Sequence, residues 1–169
     1  MRRTVGLCTI GALVALVVGA AMAQQTSTPK TAACGEHKMV TPSQLAWGPP
    51  PPGLPHAAEV AVLEGDPSRA GYYAVRLRLP EGTQIRPHWH SQDEHITVLS
   101  GTLGMGMGDK WNVSTMTPLG IGSYFALPGG QHHFAQARGD TILQVSGLGP
   151  FDIHYVNPND DPRQARSSR

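Results

Sequence analysis

The sequence predicts an all-β domain of short strands, folded as a sandwich, jelly roll or barrel, and three observations lead there. Glycine (20) and proline (15) are abundant in a non-repetitive chain of 169 residues, a content that favours turns and short strands over long helices. Tyr73, Val75, Leu77 and Leu79 alternate with Ala74, Arg76 and Arg78, the period of two that marks a strand with one buried face. Further apolar runs follow between breaks containing Gly or Pro, for a total of about nine short strands. The length suits one domain and is enough to bury a real core.

Taken in order, the chain opens with Arg2 and Arg3, a nearly all-apolar segment from Val5 to Val18, and Ala21-Met22-Ala23. That layout predicts a signal peptide over 1–23, cleaved after Ala23, and hence a periplasmic or secreted protein with no stable membrane anchor after cleavage. Cys8 leaves with it, so Cys34 is the single thiol of the mature chain and has no intramolecular disulfide partner. Residues 24–56 read as a flexible leader and a proline-rich arm. Thr41-Pro42-Ser43-Gln44 is placed to start one helical turn, with Thr41 as N-cap. Gly48 to Pro55 is mostly proline and is expected to run extended across the barrel surface. The barrel is assigned to 57–156. A first strand around Val60 and Val62 stops at Glu64-Gly65-Asp66-Pro67, and the alternating Tyr73–Leu79 run follows. Later strands are read at Glu94–Ser100, Leu103–Met107, Tyr124–Leu127, His133–Ala137, Thr141–Val145 and Phe151–Val156, with 157–169 as a frayed tail.

Eight histidines occur, and His88, His90, His95, His132 and His133 are bunched together. His88 and His90 stand two apart on a strand and so share a face. Glu94 follows past the bend Ser91-Gln92-Asp93. Imidazole and carboxylate together suit Fe, Mn, Ni, Zn or Cu better than Ca or Mg. Two ligands and a nearby third supply one edge of a site, and a fourth has to come from elsewhere in the barrel. His95 is expected to point outward, away from Glu94. His132 adjoins His133 at a turn, where a one-residue shift of register exchanges them. His37, His56 and His154 have no motif support. Met105, Met107, Ile96, Phe125 and Phe134 are candidates for a pocket wall, with plain packing the favoured reading.

The flanking residues sharpen this. Gly82, five residues, His88-Trp89-His90, three residues, Glu94, six residues and Gly101 match the first motif of the cupin superfamily at each fixed position. Gly122, five residues, Pro128, one residue, Gly130, two residues and His133 match the second. The sequence therefore resembles the cupins, most closely small single-domain bacterial ones, over about residues 57–156. The resemblance implies a double-stranded β-helix (the cupin jelly-roll barrel) holding one divalent transition metal per chain through His88, His90, Glu94 and His133. One departure is Ala137, where the family pattern often has Asn. Gly101 and Gly130 permit tight turns, Gly82 opens the ligand strand, and Pro128 stiffens the turn that presents His133.

Composition narrows the function. Charged residues are 15% and the formal net charge is +1, and there is no dense Lys/Arg cluster, so nothing points to nucleic acid. No Ser/His/Asp arrangement, H-E-x-x-H or phosphate loop is present, so the visible chemistry passes through the metal. The cupin resemblance implies a metal-dependent enzyme acting on a small organic molecule, dioxygenase-type favoured, with Glu94 as the catalytic candidate. A cupin isomerase or decarboxylase, or a non-catalytic periplasmic metal- or ligand-binding module, are the alternatives. Resemblance also implies a homodimer, for which outward apolar residues such as Leu99 offer a surface.

Overall fold

The computed structural model describes residues 37–164. The predicted signal segment 1–23, Cys34 and residues 165–169 of the tail lie outside the described residues. The chain divides into Met1–His37 and Lys38–Arg169, and every described strand belongs to the second unit. No helix of the described residues is long and apolar enough to cross a membrane.

Among the described residues there are eight strands: β1 (Glu59–Glu64), β2 (Gly71–Leu79), β3 (Gln84–Trp89), β4 (Glu94–Met107), β5 (Thr117–Leu119), β6 (Tyr124–Leu127), β7 (His133–Gly149) and β8 (His154–Tyr155). All ladders are antiparallel. The two longest strands, β4 and β7, run side by side from Glu94↔Gly147 to Met107↔His133. β2 and β3 add to β7, β5 and β6 add to β4, and β1 and β8 extend β2 and β3. This is the expected all-β barrel. The helical turn at Pro42–Gln44 also forms, as a 3-10 turn whose Thr41 N–H donates to Gln44 Oε1 at 2.8 Å.

The strand count differs from the sequence reading because breaks inside two strands are bulges and not turns, while β5 is a short strand the sequence reading did not include. The runs 94–100 and 103–107 join into β4, whose register shifts on both sides of Ser100. Gly101 sits there at φ 75°, a left-handed conformation that other residues adopt at a cost. The extra residue changes the phase. Ile96 and Val98 are buried before the bulge, and Leu103 and Met105 after it. Likewise 133–137 and 141–145 are one strand, β7. Only His154–Tyr155 of the run 151–156 is strand. Its backbone groups go elsewhere: the Phe151 N–H donates to the Pro67 carbonyl, and the Val156 N–H to that of Pro87.

The core fills the barrel with Val75, Leu77, Leu79, Leu103, Leu143 and Val145 among others. Each fully buried apolar side chain of this size stabilises the fold by about 1.5–3 kcal/mol relative to exposure. Of the wall candidates, Phe134 and Met107 lie away from the cavity. Phe134 is fully buried but packs under Gly106 and against Trp111, away from the cavity. Met107, at the end of β4, is 53% exposed. Leu99, expected outward, is half-buried and lines a surface groove with Leu45 and Trp47 of its own chain.

The proline-rich arm packs on the barrel but does not run extended throughout, because it turns at Pro51–Leu54, where the Leu54 N–H donates to the Pro51 carbonyl at 3.2 Å. Gly48 and Val60 exchange both backbone hydrogen bonds at 2.9 Å. Arg78 stacks over Trp47, 4.0 Å from the ring centre, and pairs with Glu59 at 2.6 Å. The described part of the tail folds back: Arg163 Nη2 donates to the Ile153 carbonyl at 3.0 Å.

Candidate metal centre

Strand β3 does not alternate simply. Ile85 pairs with Ala135 and His88 with His133, so three steps on β3 match two on β7. The bulge falls at Arg86-Pro87, where proline has no N–H to give to a ladder. It re-phases the strand, so that Ile85, His88 and His90 all reach the interior cavity. Trp89 faces the other way and stacks on His154, with ring centres 4.1 Å apart.

The turn that delivers His133 is stitched to the ligand strand. Within it the Gln131 N–H donates to the Pro128 carbonyl at 3.0 Å, and the Gly130 N–H reaches the His90 carbonyl at 2.8 Å. The Gly129 N–H donates to Asp93 Oδ1 at 2.9 Å. These bonds hold Pro128–Gln131 to the bend Ser91–Asp93, between two ligand candidates and Glu94.

The interior brings together His88, His90 and His133, each offering one ring nitrogen, with these atoms all within 4.8 Å of one another. Glu94 Oε2 lies 3.4 Å from His90 Nε2 and 3.7 Å from His133 Nε2. All four side chains are buried. Glu94 approaches two of the three histidines and is not within the tighter triad. His132 lies on the opposite face, as the motif count requires. It binds Asp109 Oδ1 through Nδ1 at 2.5 Å and is only half-buried. His95 also points away, its Nδ1 2.7 Å from the hydroxyl of Tyr124.

Backbone carbonyls set the tautomers. Nδ1 of His88 lies 2.7 Å from the Arg86 carbonyl, that of His90 2.5 Å from the Asp152 carbonyl, and that of His133 2.9 Å from the Gln131 carbonyl. A carbonyl only accepts, so each Nδ1 carries the proton and donates, and each Nε2 presents a lone pair. Burial pushes His88 well below the ordinary histidine range, with the neighbouring His133 and His90 adding to it. Burial also brings His133 down to about 4. Both are therefore neutral at pH 7, the state that ligates metal. Burial raises the Glu94 carboxyl, partly offset by His90 and His95.

Residues that could hold a metal can be tested on this arrangement. His90 Nε2 is buried with no hydrogen-bond partner, and an orphaned lone pair of this kind is costly unless something satisfies it. Glu94 is close but not hydrogen-bonded to it. Neutral imidazoles with free Nε2 atoms beside a carboxylate are a donor set for a divalent transition metal, and the residues fit one.

Beside the triad lies a narrow cavity whose free space, mouth included, is about 640 Å³. Apart from the four site residues and Tyr73, its wall is apolar, with Val75, Leu77, Ile85, Ile96, Leu103, Met105, Leu143 and Val145 joined by Pro51, Leu54 and Phe151. Of the expected wall residues, Met105 and Ile96 are there. Phe125 packs against the core without lining the cavity.

Comparison with known proteins agrees with this geometry. The cupin domain family matches residues 75–159. The chain belongs to the cupin superfamily. Solved cupin-like structures share its fold. The polyketide cyclase RemF from Streptomyces resistomycificus superposes with a TM-score of 0.60 at 19% identity, covering 78% of this chain and 94% of that one. A putative acetylacetone dioxygenase from Methylibium petroleiphilum PM1 gives 0.56 at 17%, covering 75% and 85%. An RmlC-like cupin from Shewanella frigidimarina NCIMB 400 gives 0.51 at 17%, covering 67% and 91%. No curated protein sequence matches the chain.

Sequence reasoning missed the groups that orient this cupin's histidines. Arg86 and Gln131 each stand two residues before the histidine they fix, a local pattern open to inspection. Asp152 gives no such signal, being 62 residues from His90. Its side chain also accepts from the Ser91 N–H at 2.8 Å, so one residue braces both ends of the His90 bend.

Proposed function

We propose that this cupin is a metal-dependent enzyme of the dioxygenase type, acting on a small organic molecule that chelates through an enol or phenol. One observation carries the reading: neutral imidazoles and one buried carboxylate converge at the wall of an otherwise apolar cavity. His88, His90 and His133, with Glu94 beside them, would hold the metal. When bound, a divalent transition metal supplies Lewis acidity and open positions for a chelating substrate and for dioxygen.

The chain's own residues do the rest. The carbonyls of Arg86, Asp152 and Gln131 keep the three rings aimed. The apolar wall excludes water and strengthens every electrostatic interaction at the site. Glu94, raised by burial, is suited to accept the proton an enol or phenol releases as it binds. Tyr73 is pushed far above the ordinary tyrosine range by burial and by the charge of Glu94. It stays protonated, a donor for a substrate oxygen.

A putative acetylacetone dioxygenase and a polyketide cyclase among the structural neighbours support small organic substrates. The non-catalytic module has one observation in its favour: outside Glu94, Tyr73 and the histidines, no wall residue carries a titratable proton. Elemental analysis of purified protein, followed by oxygen-electrode assays with 1,3-diketones and hydroxylated aromatics, tests the reading. Oxygen uptake coupled to loss of one substrate class is expected. Tight binding of these compounds with no turnover by any of the five candidate metals favours the module.

A further inference from the structure

Two wall residues, Pro51 and Leu54, come from neither cupin motif and lie outside the matched span 75–159. They belong to the proline-rich arm. Leu54 is 7% exposed and packs into the barrel core. The arm is held there by specific bonds. The Tyr155 hydroxyl donates to the Gly53 carbonyl at 2.8 Å, and the Leu54 N–H donates to the Pro51 carbonyl at 3.2 Å. Gly53 has φ 97°, and a side chain there would collide with Ile153. The turn therefore favours glycine. Tyr155 in turn packs near His88, with ring centres 5.9 Å apart, so the arm's position is tied to the ligand strand.

We propose that this arm is the size gauge of the cavity. Its role as a gauge rests on the chelation reading of the site, and it makes the substrate a chelator whose remainder is an uncharged hydrocarbon, measured against Leu54 and Pro51. An ionised group on that remainder would be desolvated with no partner, because the wall away from the histidines holds no cation. Its length is limited by an arm that proline content keeps stiff.

The test uses the full chain loaded with whichever of Fe, Mn, Ni, Zn or Cu it retains best, under nitrogen. A series of 1,3-diketones of increasing alkyl length serves as probe, followed by ultraviolet absorbance of the bound enolate and normalised to metal content. Leu54→Ala is expected to tighten binding of longer members by about threefold to tenfold relative to pentane-2,4-dione, one or two added methylenes being worth about that much. Leu54→Phe is expected to shift the preference the other way. A general loss of stability does not produce opposite shifts. If Leu54→Ala does not fold, Pro51→Ala reads the same wall. An unchanged length profile in the variants, with the parent binding normally, overturns the gauge alone. Failure of the loaded parent to bind any diketone overturns both the gauge and the chelation reading.

Discussion

The inward and outward faces of the same strands treat histidine in opposite ways. His88, His90 and His133 face in, are buried, and give Nδ1 to backbone carbonyls. His95, His132 and His154 face out and meet side chains: Tyr124, Asp109 and Asp152. A carbonyl fixed in the backbone holds one tautomer and leaves Nε2 free. A side-chain partner at the surface fixes neither the ring's aim nor its place in the interior. Residue type thus says little about ligation. Face, burial and the kind of acceptor decide it. Trp89, between His88 and His90, marks the divide, stacking outside on His154.

The strongest way to break this contrast is to remove inward rings. The variant with both His88→Ala and His90→Ala is expected to lose nearly all bound metal, as measured by elemental analysis after dialysis. Metal content at the parental level would sink the centre. His133→Ala alone should lower affinity by more than the ~10–100-fold typical of changes beyond the ligands. Glu94→Gln comes next. It keeps the shape but removes the anion, so metal affinity should fall by about tenfold, less than for a histidine, and any oxygen uptake should change. The metal-free variant should be more stable than the parent at pH 7–8, because burial already disfavours the carboxylate there. Urea unfolding of both metal-free proteins checks this, and a less stable variant contradicts the burial argument.

Acid sharpens the comparison without mutation. In the metal-free protein, His88 and His133 are depressed, so the unfolded chain takes up their protons first as pH drops below about 6.5. Stability is therefore lost from there downward, and for His133 the loss ends near 4, where the folded state also takes its proton. Glu94 acts the other way. Its folded form holds a proton at pH values where the unfolded carboxyl has lost it, so it gains stability as pH falls toward its ordinary range. Two depressed histidines against one raised carboxyl leave a net loss of stability between pH 6 and 5. A urea midpoint that stays level or rises over that interval would show that the inward rings are not buried neutral.

Much of this was legible in the residues. The alternation of Tyr73 to Leu79 and the spacings around His88, His90, Glu94 and His133 gave the all-β class and the members of the interior cluster. The bulges were hidden. Pro87 and Gly101 read as punctuation, yet each shifts the phase of a continuing strand, and period counting assumes a constant phase. Pairings far apart in sequence were hidden too. The carbonyl of Asp152 on His90 and the docking of Leu54 into the wall depend on closure of the barrel, which leaves no local pattern. The packing site of Phe134 was hidden for a related reason: its volume is accommodated by Gly106 on the neighbouring strand, a cross-strand match that one strand alone does not reveal.

The smallest expected effect is the most discriminating, since it concerns the immediate neighbour of a ligand candidate. His132 differs from His133 by one step along the strand, and neighbouring side chains on a strand face opposite sides. Its ring is 36% exposed and its partner Asp109 62% exposed, so the pair is screened by solvent and contributes under about 1 kcal/mol. It lies 6.3 Å from the ring of Trp89, on the wrong side of β3 for the centre. His132→Ala is therefore expected to keep the parental metal content and to lower the urea-derived stability by less than about 1 kcal/mol. Metal titrations of His132→Ala and His133→Ala at one pH, with one metal, compare the two faces at adjacent positions. Loss of metal in the first variant with retention in the second would reverse the register of β7 at its start, and with it the assignment of inside and outside on which the centre depends.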